Sequence, residues 1–326
     1  MVYKEYIEWV QGLTGHLYGK EEGRAIAVRL LQHFCGISAY EHMVEPYGAI
    51  APEILGELQS AAQQAAAARP LQYIIGYQEF MGLKIAVEEG VLIPRPETEE
   101  LVNLVLSHIA TRPSHLATRP SQSAHPSGLR ILDAASGSGC IATALKHHLP
   151  ESQIFACDLS SKAIEVTTRH LISVRNLSAQ NLSSPPSDKS SSGHALSSEH
   201  SDFNYEHSVF SYDLLKSPEG FPLKELDIIV SNPPYVMESE RSEMRANVLD
   251  YEPAEALFVP DNDPLLFYRA LEKLASATLK PGGAIFMEIN ENLSLETASI
   301  FKNAGYTSVE VKTDLFGKQR FCTARI

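Results

Sequence analysis

From Leu129 onward the chain alternates short apolar runs with longer amphipathic stretches. Ile131-Leu132, Ile154 to Cys157, Val209 to Tyr212, Leu226 to Val230 and Ala284 to Ile289 read as strands. Ala142 to His148, Lys162 to Arg175, Pro264 to Leu279 and Leu293 to Asn303 read as helices between them. Strand–helix alternation of this kind predicts a doubly wound α/β sheet. Ser308 to Lys312 and Phe321 to Arg325 predict a closing hairpin.

The first 68 residues lack that alternation. Ile26, Leu30, Leu31 and Phe34 fall at helical spacing, as do Ile54, Leu55 and Leu58, and Ala61 to Ala68 is rich in the best helix former. A small helical domain over 1–69 follows, with a binding or a supporting role. Arg69 to Gly76 and Phe80 to Val87 predict a hairpin within a 70–90 link. The larger domain then covers 91–326, with a first helix capped by Thr98 or Glu97 and running to about Ile109. Two low-complexity insertions interrupt it, at 111–128 and 176–208. The first contains Ala110 to Ser114 repeated as Ala117 to Ser121, and the second is Ser/Asn/Pro/His-rich, a composition that predicts disorder.

At 326 residues the length fits about two domains. A formal net charge of -13 opposes a broad nucleic-acid footprint. Cys35, Cys140, Cys157 and Cys322 show no C-x-x-C pair and no metal-ligand spacing, so free thiols in a reducing compartment are expected and no metal site. Residues 1–15 carry Glu5 and Glu8, unlike a signal peptide, and no run nears the roughly 18 apolar residues of a membrane span. A soluble cytoplasmic protein is the expectation.

Two turns carry the candidate chemistry. The strand Leu226 to Val230 ends at Ser231-Asn232-Pro233-Pro234-Tyr235. Both prolines lack an N–H and have fixed φ, so nearby carbonyls find few local donors. Asn232 adds a side-chain carbonyl and Tyr235 a flat aromatic face, a pocket suited to a planar group bearing an NH2. The plainer reading is a proline turn with Asn232 as a turn residue. The first strand ends at Asp133-Ala134-Ala135-Ser136-Gly137-Ser138-Gly139-Cys140, a small-residue loop entering a helix. Asp158, ending the next strand, is placed to grip two ribose hydroxyls or to cap the following helix. Ala142 stands where a third glycine would complete Gly-x-Gly-x-x-Gly, and no P-loop lysine is present. That favours a nucleoside without phosphates, such as S-adenosylmethionine. Strands one and four commonly adjoin at the switch point of this fold class, which would set the two turns face to face.

The sequence resembles the HemK/PrmC release-factor glutamine methyltransferases over nearly its whole length. Pro70 to Ile74, Leu92 to Glu99 and Ser231 to Tyr235 are the most specific matches; Glu252-Pro253, Ala256-Leu257, Asp314 to Gly317 and Arg320 support them. The resemblance implies a seven-stranded methyltransferase sheet, mostly parallel with the last strand antiparallel. It implies methylation of the glutamine amide nitrogen in the Gly-Gly-Gln loop of peptide chain release factors, bound by the helical domain. Carried over by position, Ala135, Ser136, Gly137, Ser138, Gly139, Asp158 and Leu214 would hold S-adenosylmethionine. Asn232 would touch cofactor and substrate, and Pro233, Pro234 and Tyr235 would hold the glutamine. Ala135 replaces a usual glycine, and Leu214, after Asp213, replaces an aromatic expected against adenine.

Other candidates have plainer readings. Glu288 ends the fifth strand and could face the crevice, Glu252 could brace the pocket or cap a turn, and Cys140 reads as a small packing residue. Competing functions are an adenine-N(6) DNA methyltransferase, since the same turn suits a flipped base, and a silent binding protein. The acidic balance and the intact Asn232 and Asp158 count against them.

Overall fold

A computed structural model describes residues 1–111, 128–182 and 208–326, with the side chains of 175–182 left aside. Most of both predicted insertions lies outside the described residues. The chain divides into two units, one of residues 1–78, 86–93 and 241–254, the other of 79–85, 94–240 and 255–326.

In the first unit, α1 (Tyr3–Cys35) is broken at Gly19, followed by α2 (Glu41–Val44), α3 (Pro52–Ala66) and α4 (Leu71–Ile75). The apolar spacing places its core correctly: Ile26, Leu30, Leu31 and Leu58 are buried together, with Phe34, Ile54 and Leu55 at the margin. Ala61, Ala62 and Ala65 give α3 a thin buried face, and the Tyr6 hydroxyl donates to Leu58 O at 3.0 Å. The run Leu71 to Ile75 is helical, where the sequence predicts the first arm of a hairpin. The hairpin is shorter: β1 (Tyr77–Phe80) and β2 (Leu83–Ala86).

The second unit carries α5 (Pro96–Thr111), β3 (Arg130–Ala134), α6 (Cys140–His148), β4 (Gln153–Asp158), α7 (Ser161–Leu182), β5 (Val209–Ser211) and β6 (Leu226–Ser231). A small parallel pair, Val236–Met237 with Phe258–Val259, precedes α8 (Leu266–Thr278), β7 (Leu279–Glu288), α9 (Ser294–Asn303), β8 (Ser308–Thr313) and β9 (Gln319–Arg325). Helix α7 reaches Leu182, so residues 176–182 are helical although their composition predicts disorder.

Seven strands form one sheet in the order β8-β9-β7-β6-β3-β4-β5, with β9 antiparallel to both neighbours and the other pairings parallel. Successive strand residues point to opposite faces, and both faces are covered, as a parallel sheet requires. Ile131, Ile228, Val230 and Phe286 pack under α5, α6 and α7 with Leu101, Val105, Ile141 and Leu145. Leu132, Ile229, Ile285 and Met287 face the other way, against Tyr268, Leu271, Leu274 and Phe301 of α8 and α9. No helix among the described residues is long and apolar enough to cross a membrane.

Candidate active site

β3 and β6 are hydrogen-bonded neighbours, with Ala134 opposite Ser231, so the two turns marked by the sequence leave the same edge of the sheet. The Ser231 hydroxyl joins them, donating to Ala134 O at 2.7 Å.

The glycine turn is built against α7. Ser136 and Ser138 are buried, the Ser136 and Thr167 hydroxyls are 3.3 Å apart, and the His170 Nδ1–H donates to Ser138 O at 2.9 Å. Gly139 has φ +72, and a Cβ there would stand 2.6 Å from Thr167 Oγ1 and 2.9 Å from Thr167 Cα. Close packing on α7 therefore excludes a side chain at Gly139. Gly137 differs: φ is +53 and a Cβ would meet nothing within 4 Å, so its outer side is open. Its N–H donates to Asp158 Oδ2 at 2.8 Å, while Asp158 Oδ1 accepts from the Ser160 N–H at 2.8 Å. Asp158 therefore ties the glycine turn to the start of the next loop and does not cap α7, whose Ala163 N–H donates to Ser160 Oγ at 3.3 Å; its carboxylate retains further acceptor capacity. Burial raises its pKa above the usual carboxylate value, and the backbone N–H groups oppose that.

Beneath the turn, Asp133 is wholly buried. Its Oδ2 accepts from the Ala142 N–H at 3.0 Å and its Oδ1 has no partner. Burial, and secondarily the Asp158 charge, push its pKa from 3.8 up to about 7, with the Ala142 N–H opposing. The neighbouring Cys140 thiol is buried and pushed up to about 12, which suits packing and not nucleophilic chemistry. Leu214 lies in the apolar cluster that contains Phe155, Cys157 and Phe221, with 7% of its surface exposed.

The Asn-Pro-Pro-Tyr turn is poor in free donors. Pro233 and Pro234 have none, and the next two N–H groups, of Tyr235 and Val236, both donate to Leu257 O, at 3.2 and 2.9 Å. Asn232 directs its Nδ2 to Thr98 Oγ1 at 3.1 Å, and the Thr98 hydroxyl donates onward to Glu288 Oε2 at 2.9 Å. The Tyr235 hydroxyl donates to the other oxygen, Glu288 Oε1, at 2.7 Å, and Tyr235 O accepts from Asn290 Nδ2 at 3.1 Å. Tyr235 is therefore fixed at its nitrogen, its carbonyl and its hydroxyl. Burial and the Glu288 charge hold its pKa well above the usual phenol value, so it stays a donor.

Glu288 faces the turn, as its strand position allowed. Thr98 does not cap a helix: α5 begins at Pro96, and the Thr98 side chain is committed to Asn232 and Glu288. Glu252 lies in the other unit, where its Oε2 accepts from the Ile93 N–H at 3.0 Å, the bracing reading applied to a different partner. Sequence reasoning missed Thr98 as an anchor, Asn290 and the Leu257 carbonyl. Among the described residues no group of three His, Cys, Asp or Glu side chains is placed to hold a metal ion.

No family model matches the chain. Full-length relatives do. The release factor glutamine methyltransferase of Bacteroides thetaiotaomicron is 35% identical over 308 residues, covering 94% of each chain. That of Flavobacterium psychrophilum is 32% identical over 321 residues, covering 98% of each. The chain belongs to the release factor glutamine methyltransferase family. A solved protein-(glutamine-N5) methyltransferase from Alicyclobacillus acidocaldarius aligns with 73% of this chain and 97% of its own at 21% identity and a TM-score of 0.37. At that score the overlay adds nothing to the strand order seen here. Ala135 has φ +60, a left-handed conformation that costs an L-residue roughly 1–2 kcal/mol.

Proposed function

We propose that this chain transfers a methyl group to the side-chain amide nitrogen of the glutamine in the Gly-Gly-Gln loop of peptide chain release factors, with S-adenosylmethionine as donor. The observation that carries this reading is the donor-poor turn after β6. Two prolines lack N–H, the following two N–H groups are taken by Leu257 O, and the Asn232 amide nitrogen directs one N–H to Thr98. Acceptors remain: Asn232 Oδ1 and the carbonyls beside the prolines. A primary carboxamide NH2 is their complement.

The residues of the glycine turn fit S-adenosylmethionine. The outer side of Gly137 is open, Asp158 retains acceptor capacity for ribose hydroxyls, and buried Asp133 Oδ1 is an unpartnered acceptor beneath the loop. Ala135 to Gly139, Asp158 and Leu214 would hold it, with Asn232 reaching it from the acceptor side. When bound it supplies a methyl group already activated on a sulfonium sulfur.

An amide nitrogen is a weak nucleophile because its lone pair is delocalised into the carbonyl. The chain therefore contributes orientation and electrostatics more than a strong base. Asn232 Oδ1 and Pro233 O accept the two N–H groups of the glutamine and turn its nitrogen. Both acceptors hold it more strongly as positive charge grows there, which is differential stabilisation. Tyr235 packs its ring on the amide plane, and the helical region 1–69 docks the release factor.

The test is incubation with methyl-labelled S-adenosylmethionine and either a release factor or adenine-containing DNA, followed by mass spectrometry of the peptides. Label is expected on the Gly-Gly-Gln peptide. Label in DNA instead would replace this reading with an adenine-N(6) activity, and label in neither would leave a binding protein.

A further inference from the structure

We propose that Thr98 and Glu288 are positioning residues that fix which end of the Asn232 carboxamide faces the acceptor substrate. The inference deepens the proposed function and rests on it. A carboxamide has a donor end and an acceptor end of nearly the same shape, so sterics alone do not choose between them. The chain of partners does. Thr98 carries one hydroxyl proton, and Glu288, when ionised, can only accept. That proton goes to Glu288 Oε2 at 2.9 Å, so Thr98 Oγ1 is left as an acceptor. Only the Nδ2 end of Asn232 can satisfy it, at 3.1 Å, which leaves Oδ1 at the opposite end. A reversed amide would set two lone-pair-bearing oxygens against each other and leave the buried Thr98 oxygen unpaired.

The same carboxylate anchors Tyr235 through its other oxygen, so one buried group orients both polar side chains of the turn. Protonation of Glu288 inverts the logic. A protonated Oε2 donates to Thr98, the Thr98 proton then needs an acceptor, and Asn232 reverses to supply Oδ1. Its NH2 would now confront the substrate NH2. The groups facing Glu288 are Tyr235 and Thr98 as donors, the Arg320 cation, the Glu97 anion, and the Tyr268 hydroxyl and Cys140 thiol. Burial raises the carboxyl's pKa above the usual carboxylate value, with Tyr235, Thr98 and Arg320 opposing, so the reversal accompanies protonation of Glu288 as the pH falls.

Two measurements test this. Turnover of a release factor is followed against pH for the wild type, Thr98→Val, which keeps the shape and removes the hydroxyl, and Thr98→Ser, which restores it. Thr98→Val should lose about 10–100-fold in kcat, the range one orienting hydrogen bond to a buried group can supply. Its release-factor KM should change little, its acid limb should flatten, and Thr98→Ser should recover most of the loss. In parallel, the Asn232 side-chain NH2 signals of the free protein, assigned by their loss in Asn232→Ala, are followed by NMR during acidification. They should move with one carboxyl titration in the wild type and stay still in Thr98→Val. An unmoved wild-type signal, a Thr98→Val enzyme with normal turnover and an intact acid limb, or a Thr98→Ser enzyme as impaired as Thr98→Val would overturn the proposal. If the wild type methylates no release factor, the proposed function fails separately, and the NMR titration still decides the hydrogen-bond chain.

Discussion

Asp133→Asn is the substitution whose effect is set most directly by the structure. Asp133 is wholly buried, has one oxygen on the Ala142 N–H and the other without a partner, and titrates near 7 instead of 3.8. A folded-state pKa above the unfolded one means that the folded state holds the proton more tightly. The stability this supplies is complete below about pH 4, declines as pH rises toward 7, and is gone above it. Across the whole interval the linkage amounts to at most ~4 kcal/mol. Asparagine keeps the shape and the acceptor for Ala142 but does not titrate. Its NH2 is buried without an obvious partner, a constant offset of about 1–3 kcal/mol that leaves the pH dependence untouched. The informative quantity is therefore the difference between the two stability–pH curves. Urea unfolding followed by circular dichroism should show that difference shifting in favour of Asp133→Asn by about 2–3 kcal/mol between pH 5 and pH 8. Parallel curves would show that Asp133 is ionised throughout and that burial does not raise its pKa in the folded protein.

Asn232→Ala removes a preorganised acceptor and should cost on the order of 10²–10³ in turnover, about 2.7–4 kcal/mol, measured with a release factor as substrate; near-normal turnover would refute its role. Ala135→Gly relieves the φ +60 conformation, and after the greater freedom of glycine in the unfolded chain is subtracted should stabilise by about 0.5–1 kcal/mol, a melting-temperature rise of roughly 1–4 °C by calorimetry. Tyr235→Phe removes one of the two donors to Glu288, weakening the site by about 1.5–3 kcal/mol in stability. Since that hydrogen bond lowers the Glu288 pKa, its loss should move the acid limb of the kcat profile to higher pH.

The sheet and both turns were legible because their signals are local: β-branched runs for strands, prolines for one turn, small residues for the other. The anchors were not. Thr98 sits directly after a proline-flanked segment, where threonine usually caps a helix. Pro96 occupies the first helical position and starts α5 earlier, which frees Thr98 to point sideways. Its partners are 134 and 190 residues away, and only the β6–β7 register, Ser231 opposite Met287, brings Asn232 and Glu288 to the same level. The misread hairpin arm is different, since its signal was present. Leu71 to Ile75 is rich in strand formers, yet Pro70 precedes it and Gly76, with φ +82, follows it. Proline before and glycine after bracket a helix, and that punctuation prevailed over the propensity of five residues.

The constellation of Asn232, Thr98 and Glu288 depends on a register that hydrophobicity alone does not choose. β6 is buried on both faces, so a slip of one residue would exchange apolar side chains between two apolar cores and carry little penalty from patterning. Polar contacts at its two ends make the choice. At the start, buried Asp227 accepts from the Arg130 N–H at 3.0 Å and meets Lys280 Nζ at 2.6 Å. At the end, Ser231 donates to Ala134 O at 2.7 Å. A one-residue slip would unmake both, stranding a buried carboxylate and a buried hydroxyl, each at about 1–3 kcal/mol or more, and would turn Asn232 away from Thr98. The polar residues that interrupt the apolar strand are thus what align the acceptor turn with Glu288 on one side and with the glycine turn on the other.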